Sequence, residues 1–265
     1  MIQNPRFDNQ YPFDYHFLVP KLICTEVWPV RDLITQHAQI IFDVGASHGV
    51  WTKAWLDSFG PAVEQIHLFE PLPGNAAEIR DKVNSGFFED CMPGVSGRLQ
   101  LNEFGLGETD AMAVMHFDHP TSGLASLAQS ACVLPDRVVQ LDREIGVPVS
   151  TLDGYCREKR IEFVDLVKID TEGYELNVLR GGQDLIDRKS IGVVLFEFGS
   201  HQRAQNHAFS DFFDFFVGRG YRLFQLGLGK QGWKRIEIGA YEDRFEDFSD
   251  TFMFGAYLPG FSETR

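Results

Sequence analysis

Cysteine is scarce in this chain: Cys24, Cys91, Cys132 and Cys156 stand far apart, form no CxxC pair and have no histidine-rich neighbourhood. Thiolate metal centres and disulfide frameworks need patterned spacing, so the four are read as reduced, mostly buried thiols. Positive charge is short as well, with 24 lysines and arginines against 38 acids and a net charge of −14. A nucleic-acid binder displaces condensed counterions with a basic face, so DNA, RNA and anionic membranes are not expected as partners. Long apolar runs are missing too. No stretch approaches the roughly 18 uninterrupted apolar residues of a membrane span, and the first residues carry no basic run followed by an apolar signal segment. A soluble cytoplasmic protein is the expectation. No repeat or low-complexity segment is visible, and nothing in the sequence speaks to oligomeric state.

What is present suits one large α/β core, since 44% of the 265 residues are hydrophobic. Residues 1–27 mix Phe7, Tyr11, Phe13, Tyr15 and Phe17 with Pro5, Pro12 and Pro20, which rules out one long helix and reads as a packed lead-in arm. Residues 28–265 are read as a single domain. Apolar runs at 39–44, 65–69, 149–152, 164–169 and 191–198 alternate with helical spacing at 48–58, 74–83, 153–159, 174–186 and 209–219. Short buried runs separated by helices predict a mostly parallel central sheet with helices on both faces. The rhythm breaks after residue 97, where 98–104 and 111–117 look like an inserted β-hairpin and 121–129 like a loop or short helix. The tail at 221–226, 233–238 and 251–258 favours strands.

The strongest local signal is Ile40-Ile41-Phe42-Asp43-Val44-Gly45-Ala46-Ser47-His48-Gly49, a buried run that ends in an acid and a glycine-spaced turn opening onto a helix. Gly45 lets the backbone turn sharply, and Gly49 lets a ligand or the helix start approach without a Cβ in the way. A dinucleotide site would prefer GxGxxG, whose second glycine meets a pyrophosphate. That position is Ser47 here, and the turn fits a nucleoside ligand without phosphates. Glu70 follows at the end of the next run, where a carboxylate can accept both hydroxyls of a ribose. Nicotinamide-dependent oxidoreductases share that carboxylate, so the glycine spacing does most of the choosing.

The second signal is Val164-Asp165-Leu166-Val167-Lys168-Ile169-Asp170-Thr171-Glu172-Gly173-Tyr174-Glu175, a run ending in three carboxylates around a glycine. Ligands in open parallel sheets sit outside the carboxyl ends of the strands, which makes Asp170 and Glu172 catalytic candidates by position. The alternative for Glu172 and Glu175 is a favourable charge at the start of the next helix. Lys168 inside its strand needs a partner, because a buried amine is costly, and Glu197 poses the same problem one strand on. His201 just past that strand is a candidate general base, with an unperturbed pKa near about 6.5, and His48 sits within the glycine turn.

These residues resemble the FkbM-type methyltransferase family. The resemblance rests on IFDVGASHG with HLFEPLPGN, on NEFGLGETDAMAVMHF followed by TSGLASL, and on VSTLDGYCREKRIEFVDLVKIDTEGYELNVLRGG, from Ile40 to Gly182. It implies a Rossmann-like methyltransferase fold, S-adenosylmethionine as cofactor, and O-methylation of a small-molecule hydroxyl acceptor on a sugar or natural product. By position it implies Asp43, Gly45, Ala46 and Gly49 in the methionine-side turn and Glu70 on the ribose. Leu106 and Glu108 would lie near the adenine and Asp170 beside the reacting methyl, with Asp170 and then His201 as the base. No metal is predicted, although Asp170 with another carboxylate has the oxygen donors that hard divalent cations prefer. The competing readings are a nicotinamide-dependent oxidoreductase and a non-catalytic nucleoside-binding scaffold.

Overall fold

The computed structural model describes residues 28–34, 39–128, 131–133, 138–229, 232–246 and 252–261. The aromatic arm at 1–27, with Cys24, lies outside the described residues.

The chain enters through a 3₁₀ turn, Trp28–Leu33, and then alternates: β1 Gln39–Val44, α1 Val50–Phe59, β2 Val63–Phe69, α2 Pro73–Asn84 and β3 Leu99–Asn102. After an insertion carrying β4 Gly105–Leu106, β5 Ala111–Phe117, β6 Ala131–Val133, β7 Val138–Gln140 and β8 Arg143–Ser150, alternation resumes. It runs through α3 Leu152–Lys159, β9 Val164–Ile169, α4 Glu175–Arg180, α5 Gln183–Asp187, β10 Ile191–Phe198 and α6 Phe209–Val217. Three strands close the chain: β11 Arg222–Gly229, β12 Gly232–Ile238 and β13 Phe252–Tyr257.

Eight strands form one sheet in the order β12-β11-β13-β10-β9-β1-β2-β3. The five from β10 to β3 are parallel, and β13 pairs antiparallel with both β10 and β11. β9 is buried at all six positions, as expected of a strand covered on both faces. Alternate residues feed two cores. Ile41, Ile66, Leu68, Leu166 and Val193 pack under α1 with Trp51 and Trp55. Phe42, Phe69, Val167, Ile169 and Phe196 pack under α3 to α6. Phe212 of α6 stacks on Phe196 with ring centroids 4.9 Å apart. The sheet is Rossmann-like, and its switch point lies between β1 and β9, where successive strands begin to be laid down in the opposite direction. Among the described residues no helix is long and apolar enough to cross a membrane.

Three expectations are corrected. The segment 98–104 does not form a hairpin with 111–117. Leu99–Asn102 is the edge of the main sheet, parallel to β2, where Leu99 and Leu101 join the core under α1 and α2. β5 instead pairs antiparallel with β8, which runs well before the expected start at 149, in a separate three-stranded sheet β4-β8-β5. The single helix expected over 174–186 is two, broken at Gly181-Gly182. A Cβ on Gly181 would lie 1.9 Å from the carbonyl oxygen of Gly107, so close packing against the insertion interrupts the helix there.

Candidate functional site

The glycine turn after β1 is held by the neighbouring strand: the amides of Gly45 and Ala46 both donate to the Phe69 carbonyl, at 3.0 and 3.1 Å. Gly45, Ser47 and Gly49 all take positive φ, at 72°, 48° and 71°. Gly45 is required twice over, because a Cβ there would also sit 1.8 Å from the Asp170 carbonyl oxygen. The turn and the end of β9 are in direct contact, and the Asp170 amide donates to the Val44 carbonyl at 3.1 Å.

A cleft open to solvent, about 580 Å³ when the open space is counted, lies at this junction. Gly45, Ser47, Glu70, Leu106, Asp170 and Glu172 line it. Its roof comes from the insertion, through Met115 and the segment Ser122–Leu127. The Asn75 amide ties that segment down by donating to the Ser122 carbonyl at 2.9 Å, and the Ser126 hydroxyl donates to the Glu172 carbonyl at 2.7 Å.

Glu70 is 3% exposed. Its Oε2 accepts from the Ser47 amide at 2.7 Å and its Oε1 from the Leu72 amide at 2.8 Å, and the Asn75 side chain adds a further hydrogen bond to the carboxylate. Burial pushes its pKa up to about 7, against the opposing pull of those amides. Glu172 stands at φ 56°, a costly conformation for a residue with a side chain. Burial and the charges of Asp170 and Glu175 push its carboxyl well above the usual range. Glu175 is fully buried, and its Oε1 accepts from the Thr171 amide and hydroxyl and the Gly173 amide at 2.8, 3.1 and 3.3 Å. It organises the loop in front of α4.

Oxygens of Asp170, Glu172 and Glu197 lie within 4.8 Å of one another, an arrangement whose donors suit a hard cation. Beneath Asp170, Lys168 Nζ sits 3.1 Å from Asp43 Oδ1 and 3.5 Å from Asp170 Oδ2, and donates to the Gly45 carbonyl at 2.9 Å. Burial pulls its pKa down, but the charges of Asp43 and Asp170 outweigh that and hold the amine above the ordinary lysine range. Asp43 Oδ2 accepts from the Thr52 hydroxyl at 2.7 Å.

Of the residues singled out in the sequence, Gly45, Glu70, Leu106, Asp170 and Glu172 meet at the cavity. Asp43 and Ala46 are buried beneath it, and Gly49 is the left-handed cap of α1, against the Phe88 ring. Glu108 does not line the cavity; it is about half exposed, 3.9 Å from Arg180. His201 does not line it either. It is 5% exposed and its Nε2 has no hydrogen-bond partner among the described residues. His48 pairs with Glu78 at 3.0 Å. Sequence reasoning assigned no site role to Ser47, Asn75, Met115 or the Ser122–Leu127 roof. The TSGLASL block was visible in the sequence, but only tertiary folding brings it over the turn.

These features have the layout of the Rossmann-like methyltransferase fold: a glycine turn after the first strand, a buried carboxylate after the second, and a carboxylate across the switch point. The chain belongs to the FkbM methyltransferase family, whose model, "Methyltransferase FkbM domain", matches residues 43–223, more than half of the chain. It is similar to the 2-O-methyltransferase NoeI of Sinorhizobium fredii, at 27% identity over 164 residues, covering 60% of this chain and 63% of that protein. It is also similar to Methyltransferase 1 of Beauveria bassiana, at 26% identity over 174 residues, covering 61% of this chain and 63% of that protein. The chain thus spans about 63% of the length of these curated relatives. The crystal structure of methyltransferase FkbM from Methylobacillus flagellatus shares the fold, with a TM-score of 0.54 at 14% identity, over 88% of this chain and 48% of that one.

Proposed function

We propose that this protein is an S-adenosylmethionine-dependent O-methyltransferase acting on a hydroxyl of a small molecule, of the sugar or natural-product class. The observation that carries the reading is Glu70, a buried carboxylate that opens on the same cavity as the Gly45 turn and Asp170. Its chemistry fits a ribose diol, and Ser47 at the second glycine position fits a ligand with no pyrophosphate. The choice of oxygen as acceptor follows the activity of the Sinorhizobium relative, a 2-O-methyltransferase.

When bound, the cofactor supplies an activated methyl group on a positively charged sulfur. The protein's task is chiefly alignment. Glu70 fixes the ribose, and the Gly45–Ser47 turn holds the adjoining part of the donor. Asp170, 34% exposed at the strand end, would take the proton of the acceptor hydroxyl. Glu172 and the insertion roof exclude water from that side. The charge balance of the chain favours a small acceptor over a nucleic acid.

The test is a calorimetric and thermal-melting titration of the purified protein with S-adenosylhomocysteine and, separately, with NAD. A ligand selective for the native state raises the melting temperature, and the homocysteine nucleoside is expected to do so. Stabilisation by NAD alone would overturn the reading.

A further inference from the structure

Lys168 joins both halves of the cavity floor through its side chain, reaching the Gly45 carbonyl and Asp170. It leaves β9 opposite Asp43 of β1 in the sheet register, with a side chain only 3% exposed. Its ammonium has three hydrogens and is ringed by oxygens: the Gly45 carbonyl at 2.9 Å, Asp43 Oδ1 at 3.1 Å, the Val44 carbonyl at 3.5 Å and Asp170 Oδ2 at 3.5 Å. Two of these belong to the backbone of the glycine turn. The fourth is the ion-pair partner that orients the Asp170 carboxylate at the cavity wall. A lysine needed only to neutralise Asp43 would have no reason to reach the turn carbonyls and Asp170 as well.

The geometry points to Lys168 as a positioning residue for methyl transfer: its ammonium ties the Gly45 turn to the Asp170 carboxylate and sets a positive charge beneath that wall of the cavity. The inference rests on the methyltransferase reading above. Two consequences follow. The ion pair reinforces the hold that the Asp170 amide already has on the Val44 carbonyl, between the turn and the end of β9. The charge of the ammonium also counts against a cationic ligand group held beside Asp170 and not against a neutral one.

The experiment needs no acceptor. Sinefungin carries a protonated amine where the donor carries its methylsulfonium, whereas S-adenosylhomocysteine is neutral there; the rest of the two nucleosides is the same. Effects of Glu70 and of general loosening therefore cancel in the ratio of their affinities. Calorimetry at pH 8 on the full chain is expected to show Lys168→Met shifting that ratio about tenfold towards sinefungin, equivalent to ~1.4 kcal/mol, and Lys168→Arg keeping the parent's ratio. Lys168→Gln, which keeps two donors without the charge, is expected to shift it as Met does and serves if the Met variant fails to fold. Equal weakening of both ligands by the neutral variants would reduce Lys168 to a structural role, and so would the failure of both to fold. A parent protein that binds neither nucleoside would instead remove the methyltransferase reading itself.

Discussion

Glu70 combines two demands that oppose each other. Its pKa is pushed up to about 7 by burial, from an ordinary value of 4.5. Between those values the folded carboxyl keeps a proton that the unfolded one has lost, so the folded state binds more protons and stability falls as pH rises through that window. Above pH 7 the cost is about 3 kcal/mol, since each tenfold difference in proton affinity between the folded and unfolded chain is worth about 1.4 kcal/mol. The parent's urea midpoint is therefore expected to fall more between pH 4.5 and pH 8 than that of Glu70→Gln, which does not ionise, although the amide can accept from only one of the Ser47 and Leu72 amides at either pH. The same substitution should weaken S-adenosylhomocysteine binding by about 1–3 kcal/mol, since the ribose hydroxyls lose a charged acceptor. Equal affinity in a folded variant would take Glu70 out of the site. Asp170→Asn should keep S-adenosylmethionine affinity within about tenfold and slow methyl transfer by ~10²-fold or more. A single-turnover assay with the true acceptor decides it, and transfer at the parent rate would move the base role to Glu172.

At the scale of elements, the site depends on how closely the β1 turn and the end of β9 abut. Gly45 combines a φ of 72° with a Cβ direction that ends 1.8 Å from the Asp170 carbonyl oxygen. Gly45→Ala must therefore adopt a strained left-handed conformation and also push the two strand ends apart, and a loss of at least ~2 kcal/mol is expected. Because the displaced segments are the donor turn and Asp170, nucleoside binding should fall with stability. Thermal melts with and without S-adenosylhomocysteine separate the two effects, and an alanine variant with unchanged melting and binding would contradict the geometry. The insertion between β3 and α3 acts through its loop, with Ser122 and Ser126 fastening the roof to α2 and to the Glu172 backbone.

Over the whole molecule, the net charge of −14 sets an outer limit on partners. At about 0.15 M salt, where the screening length is about 8 Å, neither duplex DNA nor RNA should be retained at micromolar protein in a gel-shift assay; salt-sensitive retention would reveal a local basic face. The sequence alone determined the alternation of strands and helices, the parallel central strands, the glycine turn and the acids at the ends of β2 and β9. Each of these is written in local periodicity or in a residue whose backbone freedom or charge has a local meaning. Tertiary structure alone decided the rest. It placed Leu99–Asn102 in the main sheet rather than in a hairpin, because a short apolar strand carries no mark of its partner. It split the helix after Glu175 at Gly181, because the reason is a carbonyl from residue 107. It left buried His201 off the cavity lining and brought in Ser47 and the Ser122–Leu127 roof. Lys168 was legible as a buried charge in need of a partner, but its link to both the turn and Asp170 exists only once β1 and β9 lie side by side. Periodicity fixes which face a side chain takes; which distant residue waits there is settled by long-range packing.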